Sequence, residues 1–159
     1  MTFQAKIPHR CDMMWFLNVL ACIPVSARTS ADGLSVVKQW APFGDSPPLH
    51  IHHTQDEVFV VHAGWLPIRL DGQGHIPSAG ESLLAPKGVP HTYRDESTGG
   101  AHFTAITRGP DFESLVLSAG RPAPRADLPE AAAPTPEAIA RLTRQSRDAQ
   151  IELLGPPLH

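Results

Sequence analysis

The sequence predicts an all-β fold of short strands, arranged as a sandwich or a barrel. Turn signals recur about every ten residues between short apolar runs, a spacing typical of such folds. Proline and glycine are frequent, with 17 and 12 residues in a chain of 159, which favours turns over long helices. Asp-Gly pairs at 32–33 and 71–72 follow apolar runs, and this pairing is a strong hairpin signal.

The first apolar run, residues 13–27, allows two interpretations. Residues 1–12 are polar and mixed, and we expect an extended lead-in there. The run and the small residues at 25–27 are similar to a targeting segment with a cleavage site. Asp12 and Asn18 interrupt it, however, and it is too short to span a bilayer. The favoured prediction is therefore one or two buried strands.

The central region carries the clearest strand signals. Each run is rich in apolar or β-branched residues and is bounded by glycine, proline or aspartate. The predicted strands are 34–41, 50–53, 57–62, 65–70, 80–85, 91–94 and 101–107.

The pattern changes after residue 108, where helices are predicted. The first covers 111–119 and ends at Gly120. A linker rich in proline and alanine follows at 121–134. Thr135-Pro136-Glu137 then provides an N-cap, a proline in the first turn and an acid near the helix N-terminus. The second helix should run to about residue 147.

One face of this second helix, with Ile139, Leu142 and Ser146, is predicted to pack inward. The apolar tail at 151–154 should dock on the barrel as an extended segment. The chain therefore divides into three predicted regions, which are covering N-terminal strands at 1–33, the barrel core at 34–108, and a C-terminal linker, helix and tail at 109–159.

Composition argues against several function classes. The formal net charge is -3, and the 13 lysines and arginines form no run, so neither nucleic acid nor an anionic membrane surface is the expected partner. The two cysteines, Cys11 and Cys22, are too few for a disulfide framework and are not spaced as a metal-binding pair. No phosphate-binding glycine loop or Ser-His-Asp order stands out.

A cluster of histidines carries the strongest chemical signal. His50, His52, His53 and Glu57 lie within eight residues. Because side chains alternate along a strand, His50 and His52 share a face and His53 points away. With His91 downstream, three imidazoles and one carboxylate make a plausible set of metal ligands.

Two motifs are similar to those of the cupin superfamily. The first has glycine, His-x-His, glutamate and glycine at the spacing of Gly44, His50, His52, Glu57 and Gly64. The second has glycine, Pro-x-Gly and histidine at the spacing of Gly80, Pro86, Gly88 and His91, but Asp95 stands where asparagine is usual. The flanks resemble small single-domain cupins of the quercetin-dioxygenase-like group.

The resemblance implies a double-stranded β-helix, that is, a jelly-roll barrel, here with a C-terminal helical extension. It also implies that His50, His52, Glu57 and His91 bind one divalent metal ion, with iron, manganese, nickel, copper and zinc all suited to such ligands. The expected function is a metal-dependent oxidoreductase of dioxygenase type that acts on a small organic substrate, aromatic compounds included. A non-enzymatic small-molecule or metal-binding module and a metal-dependent isomerase or lyase are the alternatives.

Several side chains have further expected roles. Glu57 could leave the metal and act as a catalytic base. Phe59, Val61 and Tyr93 have the parity of Glu57 and His91, so they are expected to line the cavity and contact substrate.

Outward-facing residues suggest how the barrel is covered. His53 and His62 are expected at the surface or at an interface. Val58 and Val60 are apolar at outward positions and need cover, which the N-terminal strands, the C-terminal helix or a second subunit could provide. A homodimer is expected, because many of the cupins that the chain resembles are dimers. The expected location is the cytoplasm, with export through residues 1–27 as the alternative.

Overall fold

The structure, a computed structural model, describes residues 11–159. Its helices are α1 (Asp111–Ala119) and α2 (Pro136–Asp148). Its strands are β1 (Met14–Phe16), β2 (Val19–Val25), β3 (Leu34–Ala41), β4 (Leu49–His52), β5 (Glu57–Ala63), β6 (Ile68–Leu70), β7 (Gln73–His75), β8 (Ser82–Ala85), β9 (His91–Tyr93), β10 (Ala101–Arg108), β11 (Arg121–Pro122) and β12 (Ile151–Gly155).

These strands form two antiparallel sheets. One has seven strands in the order β11-β1-β2-β3-β10-β5-β8, and the other has five in the order β12-β4-β9-β6-β7. The apolar core contains Phe59 and Phe103 from the larger sheet and Ile68 and Tyr93 from the smaller one. The predicted all-β fold with a C-terminal helix is confirmed.

Alternation along β5 decides which side chains enter the core. Glu57, Phe59 and Val61 are buried, whereas Val58 and Val60 between them are half-buried. This is the period of two that a strand imposes. The same rule places Glu57 on the inner face, toward the smaller sheet.

The N-terminal run forms the predicted strands. Phe16 pairs with Val19 across a two-residue turn in which Leu17 has φ 53°. Strand β2 then pairs with β3, and Gly33, in the predicted turn, has φ 68°. The expected lead-in at 1–12 falls almost entirely outside the described residues.

The predicted strand at 65–70 starts too early. Strand β6 begins only at Ile68, and Trp65 makes an isolated bridge to Ser78. Pro67 has no N–H to donate to a ladder, so regular pairing begins after it. The strand predicted at 80–85 likewise begins later, at Ser82.

Both predicted helices are present. Thr135 caps α2 by accepting a hydrogen bond from the Ala138 N–H at 3.2 Å. Gly120 follows α1 but is extended, with φ -82°. It is needed there for close approach, because a Cβ would lie 2.5 Å from the Val116 carbonyl oxygen.

The C-terminal segments are integral parts of the fold. Strand β12 pairs along β4 and so extends the smaller sheet. On the predicted inner face of α2, Leu142 packs against the core and Ser146 is fully buried, but Ile139 remains half exposed. The division at residues 33 and 108 stays a prediction.

Neither helix within residues 11–159 is long and apolar enough to cross a membrane.

Candidate metal centre

Three strands from both sheets bring four ionisable side chains together. His50 and His52 project from the same face of β4, and His50 pairs directly with His91 on β9. Glu57 begins β5 in the opposite sheet. The structure thus places side by side the four residues that the two motifs predict as ligands.

The four side chains are in close contact. Glu57 Oε2 lies 3.0 Å from His91 Nε2 and 3.3 Å from His52 Nε2. The His50 ring centroid is 5.2 Å from that of His52 and 4.5 Å from that of His91. One ligand atom from each of the four residues lies within 4.8 Å of all the others, so a single ion could contact all of them.

Backbone carbonyls orient two of the imidazoles. His50 Nδ1 donates to the Pro48 carbonyl oxygen at 2.7 Å, and His91 Nδ1 donates to the Val89 carbonyl oxygen at 3.2 Å. A carbonyl oxygen can only accept, so each Nδ1 carries a hydrogen. The Nε2 atoms therefore face the cluster in the manner of histidine ligands held by an outer hydrogen bond.

His52 differs from the other two histidines. Its side chain is 2% exposed. Among the described residues neither ring nitrogen has a hydrogen-bond partner, because the 3.3 Å approach of Glu57 Oε2 to its Nε2 lacks hydrogen-bond geometry. Leaving buried polar atoms unpaired is costly. A metal ion at Nε2 would remove part of this cost. The unpaired ring nitrogens of His52 therefore support a metal ion at this cluster.

Charges within the cluster are divided unequally when no metal is bound. Burial lowers the pKa of His50 to about 3, and burial also lowers the pKa of His52. Burial opposes ionisation of Glu57, but electrostatic attraction to the neighbouring imidazoles, His52 first, and the hydrogen bond from His91 outweigh it and lower the Glu57 pKa to about 2. Burial similarly opposes charge on His91, yet its hydrogen bond to Glu57 raises the His91 pKa. Glu57 and His91 consequently form an ion pair beside two neutral imidazoles.

This set of donors fits one divalent ion. Neutral imidazoles and a carboxylate suit iron, manganese, nickel, copper and zinc. Binding through His91 Nε2 would require loss of the proton that now bridges to Glu57, as is usual when a metal replaces protons at its ligands.

The family of the chain follows from comparison with known proteins. Residues 38–107 match the family model described as Cupin domain. This chain contains a cupin domain. The resemblance to a small cupin-superfamily protein is thereby confirmed, and the matched range includes all four residues of the cluster.

Two curated proteins are similar to this cupin. Quercetin 2,3-dioxygenase of Bacillus subtilis is 32% identical over 82 residues, which cover 52% of this chain and 24% of that protein. Endoribonuclease YbeY of Myxococcus xanthus is 34% identical over 100 residues, which cover 63% of this chain and 33% of that protein. The cupin thus spans about a quarter to a third of the curated relatives it matches.

Solved structures support the same fold. KdgF from Halomonas sp. has a TM-score of 0.55 at 19% identity, covering 67% of this chain and 94% of that one. A RmlC-like cupin from Shewanella frigidimarina has a TM-score of 0.54 at 18% identity, covering 67% of this chain and 90% of that one. At these identities the likeness concerns the fold alone.

Three of the four cluster residues of this cupin, His50, His52 and Glu57, line a cavity of about 880 Å³, a size suited to a small organic molecule. Phe59 and Tyr93 line it as predicted. Val61 lies in the core and is only 1% exposed. It is four residues along β5 from Glu57 and is not among the described residues that line the cavity. Its contact with substrate stays a prediction without support from the cavity.

Much of the cavity wall comes from regions outside the cupin motifs. Phe112 and Leu115 of α1, Leu142 and Ser146 of α2, and Ile151 of β12 all line it. Sequence reasoning predicted only that the C-terminal part packs on the barrel. The apolar spacing of α2 was the available signal, but it could not indicate which surface the helix would cover.

A buried acid, Asp45, was also missed. The Tyr93 hydroxyl donates to Asp45 Oδ2 at 3.0 Å, and both residues line the cavity. Burial raises the Asp45 pKa to about 6, although the hydrogen bond from Tyr93 opposes the rise. Its position directly after the motif glycine Gly44 was the one signal in the sequence.

Asp95, which replaces the usual asparagine, supports the loop that contains Asp45. Its carbonyl oxygen accepts from the Gly44 N–H at 2.7 Å, and its N–H donates to the Asp45 carbonyl oxygen at 2.9 Å. Its side chain is fully buried and accepts from the Ser97 N–H at 2.8 Å. Asp95 therefore holds the start of the first motif against the end of the second.

The remaining histidines near the motifs face outward as expected. His53 is exposed and lies 2.8 Å from Glu152 Oε2. His62 is exposed and bonds Thr104 Oγ1 at 2.7 Å. Neither belongs to the group of four candidate ligands.

Proposed function

We propose that this cupin binds one divalent metal through His50, His52, Glu57 and His91 and acts as a metal-dependent dioxygenase on a small aromatic compound. The observation that carries the proposal is the convergence of these four residues beside a largely apolar cavity, which His50, His52 and Glu57 line. The similarity to quercetin 2,3-dioxygenase supports the reaction type and suggests a flavonol-like substrate.

The metal would supply a Lewis acid that favours the ionised form of a substrate hydroxyl and, with a redox-active ion, its oxidation by dioxygen. Glu57 is ionised, and its Oε2 accepts a hydrogen bond from His91 Nε2. On leaving the metal, the same oxygen would accept a proton from a substrate hydroxyl, which is the proposed role of Glu57 as a base.

Aromatic residues beside the ligands would bind the substrate body. The Phe112 ring centroid lies 5.8 Å from that of His52, and the Phe59 centroid lies 6.0 Å from that of His91. Both rings line the cavity. They would pack against an aromatic ring of the substrate and exclude water from its reacting oxygens.

Metal content measured on protein purified without added metal tests the ligand assignment. His52→Ala and His91→Ala should each abolish stoichiometric metal. His53→Ala is the matched control, since it removes the adjacent, outward-facing imidazole and should leave metal content unchanged. Full metal in either inner variant would contradict the four-ligand site.

Oxygen uptake tests the reaction. Protein with iron, copper, manganese or nickel should consume oxygen when quercetin or catechol is added. Bound zinc with no oxygen consumption would count against a dioxygenase and favour the isomerase, lyase or binding-module alternatives.

A further inference from the structure

The hydroxyl of Ser146 is a buried polar group without a partner in the cavity wall. Ser146 is 0% exposed and lines the cavity. Among the described residues, no group hydrogen-bonds its Oγ. It lies in α2, outside the range that matches the cupin model.

A neighbour in the same helix shows what such a hydroxyl ordinarily does. Thr143 Oγ1 donates to the Ile139 carbonyl oxygen at 2.9 Å, the usual bond to the preceding turn. Ser146 makes no equivalent bond to any residue that the structure describes. An unpaired buried hydroxyl is destabilising, so the Ser146 hydroxyl is costly in the ligand-free protein.

The helix is tied to the strand that carries two of the metal ligands. After α2 the chain enters β12, where Ile151 pairs with His52 on β4. Ala138, Leu142 and Ser146 recur every four residues on the side of α2 that lines the cavity. Ser146 is the member of this row nearest to β12 in sequence.

We propose that Ser146 hydrogen-bonds a hydroxyl group of the substrate and thereby helps select it, an inference that rests on the proposed function. The ligand would have an aromatic body against Phe112, Leu115 and Leu142, which line the same cavity. It would carry hydroxyl groups at two separate places, one directed at the metal ligands and one at Ser146. A site that hydrogen-bonds a substrate oxygen discriminates against analogues without it.

Ligand titrations of Ser146→Ala test the proposal. On zinc-loaded protein without oxygen, the variant should bind quercetin about threefold to tenfold more weakly than wild type. Affinity for unsubstituted flavone, which lacks hydroxyl groups, should not change. Ser118→Ala is the matched control, because Ser118 is an exposed helical serine that already bonds the Leu115 carbonyl oxygen.

Thermal unfolding separates ligand binding from a structural role. Removing an unpaired hydroxyl should raise the ligand-free Tm of Ser146→Ala by about 2–4 °C. A lower Tm would reveal a structural partner and overturn the proposal, as would unchanged quercetin affinity. Failure of quercetin to bind the wild type would overturn the ligand class.

The titration repeated on metal-stripped protein distinguishes the two proposals. If the chain binds no metal, the proposed function fails, but the wild type and Ser146→Ala should still differ in quercetin affinity. Loss of that difference in stripped and loaded protein alike would overturn the role of Ser146 while leaving metal binding intact.

Discussion

Asp45→Asn should make the protein more stable than wild type, and increasingly so as pH rises. Asp45 lies in the cavity wall, and burial raises its pKa from 3.8 to about 6. Between these values the folded state holds a proton that the unfolded state has lost. Stability that depends on the protonated carboxyl is therefore lost as pH rises through this window.

The magnitude follows from the size of the shift. A change of about 2 pKa units corresponds to about 3 kcal/mol of unfolding free energy. Part of this difference is already present at pH 4, so the advantage of Asp45→Asn over wild type should grow by about 2.5 kcal/mol between pH 4 and pH 7. Asparagine keeps an oxygen that can accept from the Tyr93 hydroxyl, so the comparison isolates the charge.

Urea unfolding of metal-free protein from pH 4 to pH 8 provides the measurement. The difference between variant and wild type cancels the titration of the histidine cluster, which both proteins share. Asp71→Asn, at an exposed turn position, is the control for loss of any carboxylate. A stability difference that does not vary with pH would refute the argument that Asp45 is a desolvated acid.

Two further predictions concern the scaffold. In urea unfolding, Gly100→Ala should lower the unfolding free energy by at least about 2 kcal/mol more than Gly72→Ala does. Both glycines have φ near 77°. A Cβ at Gly100 would lie 2.4 Å from the Ala41 carbonyl oxygen, whereas a Cβ at Gly72 would have no atom within 4 Å. Equal costs would show that the backbone at Gly100 relaxes freely. Glu113→Ala should lower the unfolding free energy by about 3 kcal/mol, because the buried carboxylate accepts hydrogen bonds from the Ala27 N–H at 2.9 Å and from the Ser26 hydroxyl. A loss of unfolding free energy below about 0.5 kcal/mol would contradict the importance of this contact.

Sequence reasoning succeeded where a local rule decides the structure. Alternation along strands placed His50 and His52 on one face and His53 on the other. The same rule assigned Glu57 and Phe59 to the interior. The two motifs then supplied His91, which lies 34 residues beyond Glu57 in the chain but 3.0 Å from it in space.

Local rules failed where distant segments meet. The period of α2 predicted an inner face but not that this face would line the cavity with Ser146. Nothing in the residues around Asp45 indicated that the Tyr93 hydroxyl, 48 positions away, would bond it. The early start assigned to the strand before Leu70 shows a smaller failure, in which Pro67 delayed pairing that the apolar pattern suggested.

The sequence alone determined the all-β class, the metal ligands to test and the side of each strand on which they lie, because these depend on residue type and short periods. Only the tertiary structure decided the rest of the site. Which nitrogen of each histidine faces the cluster depends on carbonyls such as that of Pro48. The pKa values of Asp45 and Glu57 depend on burial and on partners from other strands. The chemical surface of the cavity depends on a C-terminal helix whose position is set by the pairing of β12 with β4.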